Sequence, residues 1–454
     1  MFTTFSYTAC MILPAPGYTE ESRSVIQSMN PFDQKPLPIT KTFESFPALY
    51  PRAYHPLETD PYTKCRIILM NGTEYEAVKF SHQMARHCQS QDIRRELAMT
   101  RRTEQQQQKK LANLKPICES ILEHTIGYEQ LAVDLTAHLA KRVSSPNVKQ
   151  ALDLALLEDF DHLYRYADLM EMDDGQHAER LVGRYTEIMP GRPTISEHRF
   201  PKDGIPCPLG KDSPLFDKLA SMIITAAEQQ TMNYYMNQTG FYKNDLGRRL
   251  YQEIAMIEEQ HVTQYESLMD ASTTWLECLL MHEFVECYLY WSCEQTETDP
   301  YIRTIWAQNL EHEIAHLHKA AQLLEQFEGK HWQQVIPDGN FPAPLRLESN
   351  IPYVRSILTT VQNTYKDKNP VPVQSLECAD PFFAYQDIVH PDTAQVASHM
   401  VIDQTIRRHG RDYRFETAPH PVQPLQDRTQ DNTRVGRDPK IPGYNEITHS
   451  NTQR

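Results

Sequence analysis

Apolar residues recur at three- and four-residue intervals through the middle of the chain, which predicts a series of long helices between about residues 76 and 330. The pattern is clearest from Leu246 to Met269, which predicts one amphipathic helix. Glu258 and His261 lie three positions apart in this segment, so they share one helix face. A carboxylate and an imidazole that point the same way are suited to a metal ion at the centre of a helical bundle.

The same acid-x-x-His arrangement occurs in two other predicted helices, as Asp159 with His162 and as Glu313 with His316. Each of the three pairs follows a single Glu on a preceding helical segment by 30 residues, and these single residues are Glu129, Glu228 and Glu283. Two antiparallel helices joined by a short turn bring residues equidistant from the turn to one level. The midpoints fall in SSPN, GFYKND and TETDP, which are typical turn sequences. The sequence therefore predicts three copies of one helical hairpin.

Spacing alone does not define these pairs, because 60 acids and 19 histidines give about 2.5 acid-x-x-His matches by chance. Four further matches begin at Asp174, Glu328, Asp387 and Glu446. The last also has a Glu 30 residues upstream, but it lies among prolines that no helical hairpin can accommodate.

The distribution of proline indicates how the chain is divided into extended and helical segments. Residues 1–75 are rich in Pro, Thr and Tyr, which predicts an extended or disordered arm, and residues 76–114 are predicted to be a helical lead-in. The helical bundle is assigned to residues 115–330, and residues 337–454 are predicted to be extended, with short helices within 351–367 and 392–410 and a tail. A connection of about 40 residues separates hairpins one and two, and it is long enough to run the length of a bundle.

The net charge and the cysteine content limit the partners and the cellular location that the sequence predicts. A formal net charge of −15 argues against nucleic acid or an anionic membrane as the main partner, and no apolar run is long enough to span a bilayer. The nine cysteines form no Cys-x-x-Cys pair, which fits a reducing compartment. The N-terminal apolar patch has no preceding positive residue, so a cytoplasmic location is expected rather than export.

The segments AAEQQTMNYYMNQ and IEEQHVTQYESLM resemble the paired helices of rubrerythrins and other ferritin-like di-iron carboxylate proteins, and the resemblance extends over roughly residues 117–325. It implies an all-α, ferritin-like bundle of three helical hairpins with a cofactor of two iron ions, or of manganese. Carried over by position, the metal ligands would be Glu129, Asp159, His162, Glu228, Glu258 and His261, with Glu283, Glu313 and His316 as further candidates. Asp159 departs from the family's Glu, and Glu158 is an alternative ligand. The cysteine pairs of a rubredoxin-type iron centre are absent from the sequence.

Two questions stay open at this point. The long connection favours hairpins one and two as the builders of the site, whereas hairpins two and three carry the better motifs. The resemblance implies a protein that reacts with dioxygen or hydrogen peroxide, and the alternatives are a di-iron oxygenase of an organic substrate or a metal-free helical scaffold. In each case the extended tails are expected to join copies of the chain into a homo-oligomer.

Overall fold

The computed structural model describes residues 28–189, 198–358 and 363–410, and most of these residues are helical. The all-α prediction is confirmed. The first part of the predicted N-terminal arm and the predicted C-terminal tail lie outside the described residues.

In the described ranges, eight long helices pair in chain order as four hairpins, and a short helix α5 (Glu179–Val182) lies between the second and third. The hairpins are α1 (Pro61–His87) with α2 (Gln91–Ala112), α3 (Ile121–Ala140) with α4 (Pro146–Asp174), α6 (Leu215–Phe241) with α7 (Asp245–Glu266), and α8 (Trp275–Thr296) with α9 (Pro300–Glu328). The last three are the hairpins that the sequence predicts.

The first hairpin differs from the prediction. Helix α1 begins at Pro61, inside the segment assigned to the extended arm, and with α2 it forms a hairpin where a helical lead-in was expected. The Asp60 carboxylate accepts from the Tyr62 backbone N–H and caps α1, while Pro61 occupies the first helical position, where its missing N–H costs nothing. The proline that suggested extended chain therefore starts a helix.

The four hairpins form two four-helix bundles. In the first bundle, α3 packs on α6 and α4 on α7, and in the second bundle, α1 packs on α8 and α2 on α9. Helix α1 also lies against α3 and α6, where Gly72 faces Gln230 and Gly127 faces Ile68. A Cβ atom at either glycine would lie 3.0 Å from its neighbour, so the small residues allow the two bundles to approach closely.

The chain after α9 packs on the bundles as short elements: α10 (Ile351–Ile357), the antiparallel strands β1 (Asn363–Lys366) and β2 (Asn369–Pro372), α11 (Pro381–Val389) and α12 (Ala397–His409). The predicted short helices are present, although the first ends before the strand pair. Asp367 and Lys368 have φ values of 48° and 71°, as a tight turn between twisted strands requires. Helix α12 contacts α4 and α7. Among the described helices, none is both long enough and apolar enough to cross a membrane.

Candidate metal centre

Six acidic and histidine residues of the first bundle meet at its centre, and each residue is at most 1% exposed. We call them the first cluster: Glu129 of α3, Asp159 and His162 of α4, Glu228 of α6, and Glu258 and His261 of α7. They are the six residues that the sequence analysis assigns to a metal site. The i, i+3 spacing places each acid and histidine on one helix face, and the hairpin turns bring the four helices to one level.

The first cluster consists of two overlapping groups of ligand atoms. One group comprises Asp159, Glu228, Glu258 and His261, and the other comprises Glu129, His162 and Glu258. Within each group the ligand atoms all lie within 4.8 Å of one another. Glu258 belongs to both groups, so it would be the shared ligand if each group held an ion.

Both imidazoles approach Glu258 through Nδ1. His162 Nδ1 lies 3.0 Å from Glu258 Oε1, and His261 Nδ1 lies 3.0 Å from Glu258 Oε2. His261 Nδ1 is also 3.5 Å from Asp159 Oδ1 and 3.8 Å from Glu228 Oε2. One nitrogen thus faces three carboxylates from three helices.

The remaining nitrogen of His261 is fixed by a carboxylate outside the cluster. His261 Nε2 lies 2.6 Å from Glu158 Oε2, and Arg199 Nη2 donates to the same oxygen at 2.7 Å. With Nε2 as the donor, Nδ1 keeps its lone pair for a metal. Glu158 is therefore not placed to substitute for Asp159 as a ligand, and the structure assigns it the role of orienting His261.

Without bound cations, burying the ionised carboxylates of the first cluster is energetically unfavourable. Burial, together with neighbouring carboxylates, raises the pKa of Glu129 and Asp159 well above their usual values and that of Glu228 to about 8. Burial would also raise the pKa of Glu258, but His162 and His261 outweigh it and lower this pKa. Within the described part of the chain, Glu129 Oε2, Asp159 Oδ1 and both oxygens of Glu228 have no hydrogen-bond partner. Hard oxygen donors with two imidazoles suit iron or manganese, so these residues fit a two-metal site.

The ligands of predicted hairpin three do not join this site. Glu283, Glu313 and His316 lie in the second bundle with three acids that the sequence analysis does not assign. We call these six residues the second cluster: Glu74, Glu104, Glu283, Glu286, Glu313 and His316. The structure thus combines hairpins one and two, as the long connection favours, and pairs hairpin three with α1 and α2.

A spacing signal for the missed hairpin is present in the sequence. Glu74 precedes Glu104 by 30 residues, as in the other three hairpins, but position 107 is Gln where a His is expected. Arg199 carries no comparable signal, because it lies in the irregular connection before α6.

Searches of protein-family models, of curated proteins and of solved structures find no match to this chain.

Proposed function

We propose that the first cluster binds two metal ions, iron or manganese, and that the protein reacts with dioxygen or hydrogen peroxide as a ferritin-like, rubrerythrin-like oxidoreductase. The observation that carries this proposal is the sharing of Glu258 between two groups of buried ligand atoms. A redox-active metal pair would supply the electrons and the open coordination positions that such oxidants need.

Charge balance supports a pair of divalent ions. Glu129, Asp159, Glu228 and Glu258 contribute four negative charges when ionised, and two divalent cations neutralise them with the imidazoles uncharged. A buried carboxylate is stable when it is paired or bound to metal and costly otherwise. With one ion in this site, two of the carboxylates would have to be neutralised by protons instead of by metal.

Three buried tyrosines lie beside the first cluster and contribute to the proposed site. Tyr235 donates to Glu129 Oε1 at 2.6 Å and leaves the other oxygen of that carboxylate for a metal. Tyr166 and Tyr251 pack beside Tyr235, with ring centroids 5.2 and 5.6 Å away, and all three rings are buried. This aromatic wall excludes bulk water from one side of the cluster.

The test compares the wild type with a Glu258→Ala/His261→Ala variant after iron-supplemented expression. We expect the variant to lose two iron equivalents per chain, by elemental analysis, together with oxygen uptake and peroxide consumption by the reduced protein. Glu266→Gln is a matched control, because Glu266 lies on the exposed side of the same helix. Unchanged oxidant consumption in the double variant would contradict the proposal. A metal content well below one per chain in the wild type, under iron and under manganese, would favour the metal-free scaffold.

A second test addresses the orientation of His261. Glu158→Gln removes the negative charge that holds His261 Nε2 and pairs with Arg199, so we expect metal binding in the first cluster to weaken about 10- to 100-fold. Competition with a chromophoric chelator measures this change. The far-ultraviolet circular dichroism spectrum should stay unchanged, and Glu266→Gln again serves as the control. Equal affinities in the variant and the wild type would show that Glu158 does not orient the ligand.

A further inference from the structure

The second cluster repeats the geometry of the first in the other bundle. Glu104, Glu283, Glu313 and His316 form one group, and Glu74, Glu104 and Glu286 form another, with the ligand atoms of each group within 4.8 Å of one another. Glu104 of α2 belongs to both groups, so the shared carboxylate comes from the earlier hairpin here, whereas in the first cluster it is Glu258 of the later hairpin. All six residues are at most 4% exposed.

The two clusters correspond residue by residue along their hairpins. Glu74, Glu104, Glu283, Glu313 and His316 take the positions of Glu129, Asp159, Glu228, Glu258 and His261. His316 Nδ1 lies 3.0 Å from Glu313, 2.7 Å from Glu104 and 3.8 Å from Glu283, so one imidazole nitrogen again faces three carboxylates.

The correspondence extends to the groups around the ligands. Tyr290 lies seven residues after Glu283 and donates to Glu74, as Tyr235 lies seven residues after Glu228 and donates to Glu129. The tyrosine hydroxyl holds one oxygen of the single Glu in both bundles. A chance cluster of acids would not reproduce this contact.

The two clusters differ in residue type at two corresponding positions. Gln107 stands where the first cluster has His162, and its Nε2 donates to Glu313 Oε1 at 2.5 Å. On the facing helix, Glu286 stands where the first bundle has Thr231, whose hydroxyl donates to the Ala227 carbonyl of its own helix at 3.0 Å. The second cluster therefore lacks one imidazole and gains one carboxylate at the same metal position.

Glu286 is the strongest sign that this position binds a cation. Its side chain is fully buried, and neither carboxylate oxygen has a hydrogen-bond partner in the described ranges. Glu74 Oε2, Glu104 Oε2 and Glu283 Oε2 are likewise buried without a partner among the described residues. An isolated buried carboxylate costs several kcal/mol, and a metal-free bundle gains nothing from adding one. Glu74, Glu104 and Glu286 form the second group of ligand atoms, and Glu283 belongs to the first.

We propose that the second cluster is a second two-metal centre, which binds divalent manganese or iron through five carboxylates and one imidazole. Its oxygen-rich ligand set favours hard cations. The proposal does not depend on the reaction of the first cluster with oxidants.

A cavity of about 130 Å³ lies near this centre, and the His282 imidazole separates it from Glu286. It lies between α1, α6 and α8, and Glu76, Lys218 and Asp270 line it together with apolar side chains such as Met222 and Met281. His282 also lines the cavity, and its Nε2 lies 3.9 Å from Glu286 Oε1. His282 is therefore the lining residue that connects the cavity to Glu286.

The experiment measures bound Mn²⁺ per chain in the full-length protein, which is first stripped with a chelator and then dialysed against the metal. We expect four ions in the wild type, two in Glu104→Gln and two in Glu258→Gln, with anomalous scattering at the manganese edge placing the retained pair in the opposite bundle. Glu311→Gln is the surface control on α9. Two ions in the wild type, unchanged by Glu104→Gln and lost in Glu258→Gln, would overturn the second centre and leave the first intact. Two ions that are lost only in Glu104→Gln would instead refute the first centre.

A rescue experiment separates metal binding from a structural role of Glu286. We expect Glu286→Thr to bind one manganese ion fewer than the wild type, and Glu286→Thr/Gln107→His to regain it, because the double variant reproduces the ligand types of the first cluster. Thermal melting of the stripped proteins verifies folding. If Glu286→Thr keeps the full manganese content, or if the histidine restores nothing, the assignment of Glu286 as a ligand is wrong.

Discussion

Replacing Glu258 with Gln is expected to empty both metal positions of the first cluster, whereas replacing Glu228 with Gln is expected to empty one. The difference follows from the shared ligand. Glu258 belongs to both groups of ligand atoms, while Glu228 belongs only to the group with Asp159 and His261. A Gln side chain has the same shape as Glu but carries no negative charge, so it cannot bridge two cations.

The stoichiometry is best measured in a Glu104→Gln background, in which only the first cluster is expected to bind metal. In that background we expect two ions per chain, none after Glu258→Gln, and one after Glu228→Gln. Elemental analysis of protein loaded with iron, and separately with manganese, gives these values. Equal losses in the two variants would show that Glu258 does not act as a bridge.

Local spacing explains why the six residues of the first cluster could be predicted from the sequence. A helix fixes the direction of residues i and i+3, and a hairpin fixes which positions meet across a turn. Asp159 and His162 are therefore predictable from a short segment, as are Glu258 and His261. Glu129 and Glu228 follow from the constant separation of 30 residues.

The ligands of the second bundle were only partly predicted because one position holds Gln where His is expected and one carboxylate is added outside the repeated pattern. Gln107 interrupts the acid-x-x-His pattern of α2, and Glu286 supplies a carboxylate one turn after Glu283. Proline-rich composition also concealed the start of α1, since Pro61 is favourable at the first position of a helix. A search for the 30-residue separation without the histidine would have included Glu74 and Glu104.

The contacts of Arg199 and Glu158 could not be predicted from any pattern. Arg199 comes from the long connection between hairpins, where no periodicity determines the path of the chain. Glu158 is adjacent to the ligand Asp159, so helix geometry alone leaves open whether it faces a metal or a histidine. Only the tertiary structure shows that it bonds to His261 Nε2.

One buried ion pair links two parts of the second bundle. Glu297 follows α8, and its side chain accepts from Arg66 of α1 at 2.9 and 3.2 Å, from Thr63 at 2.5 Å and from the Trp306 indole at 3.0 Å. Both charged residues are at most 4% exposed. The pair thus links α1 to the turn between α8 and α9, which are the helices that carry most of the second cluster.

We expect Glu297→Gln to lower the free energy of unfolding by about 3–5 kcal/mol at pH 7, because it leaves the Arg66 guanidinium buried without its counter-charge. Urea denaturation of the chelator-treated protein, followed by tryptophan fluorescence and by circular dichroism, measures the change. Glu325→Gln is the control, since Glu325 and its partner His331 are both exposed. Its effect should stay within about 0.5 kcal/mol.

The destabilisation caused by Glu297→Gln should be smaller at acidic pH than at pH 7. Burial alone would raise the pKa of Glu297, but the hydrogen bonds and charge of Arg66 outweigh it and lower the pKa from 4.5 to about 2. A carboxyl group whose pKa is lower in the folded protein stabilises the fold fully above its unfolded value, and this contribution is lost as the pH falls towards the folded value. The difference between the wild type and Glu297→Gln should therefore be constant above about pH 5.5 and decrease from pH 4.5 towards pH 2. A difference that stays constant over the whole range would mean that the charge of Glu297 contributes nothing, and that its hydrogen bonds alone stabilise the second bundle.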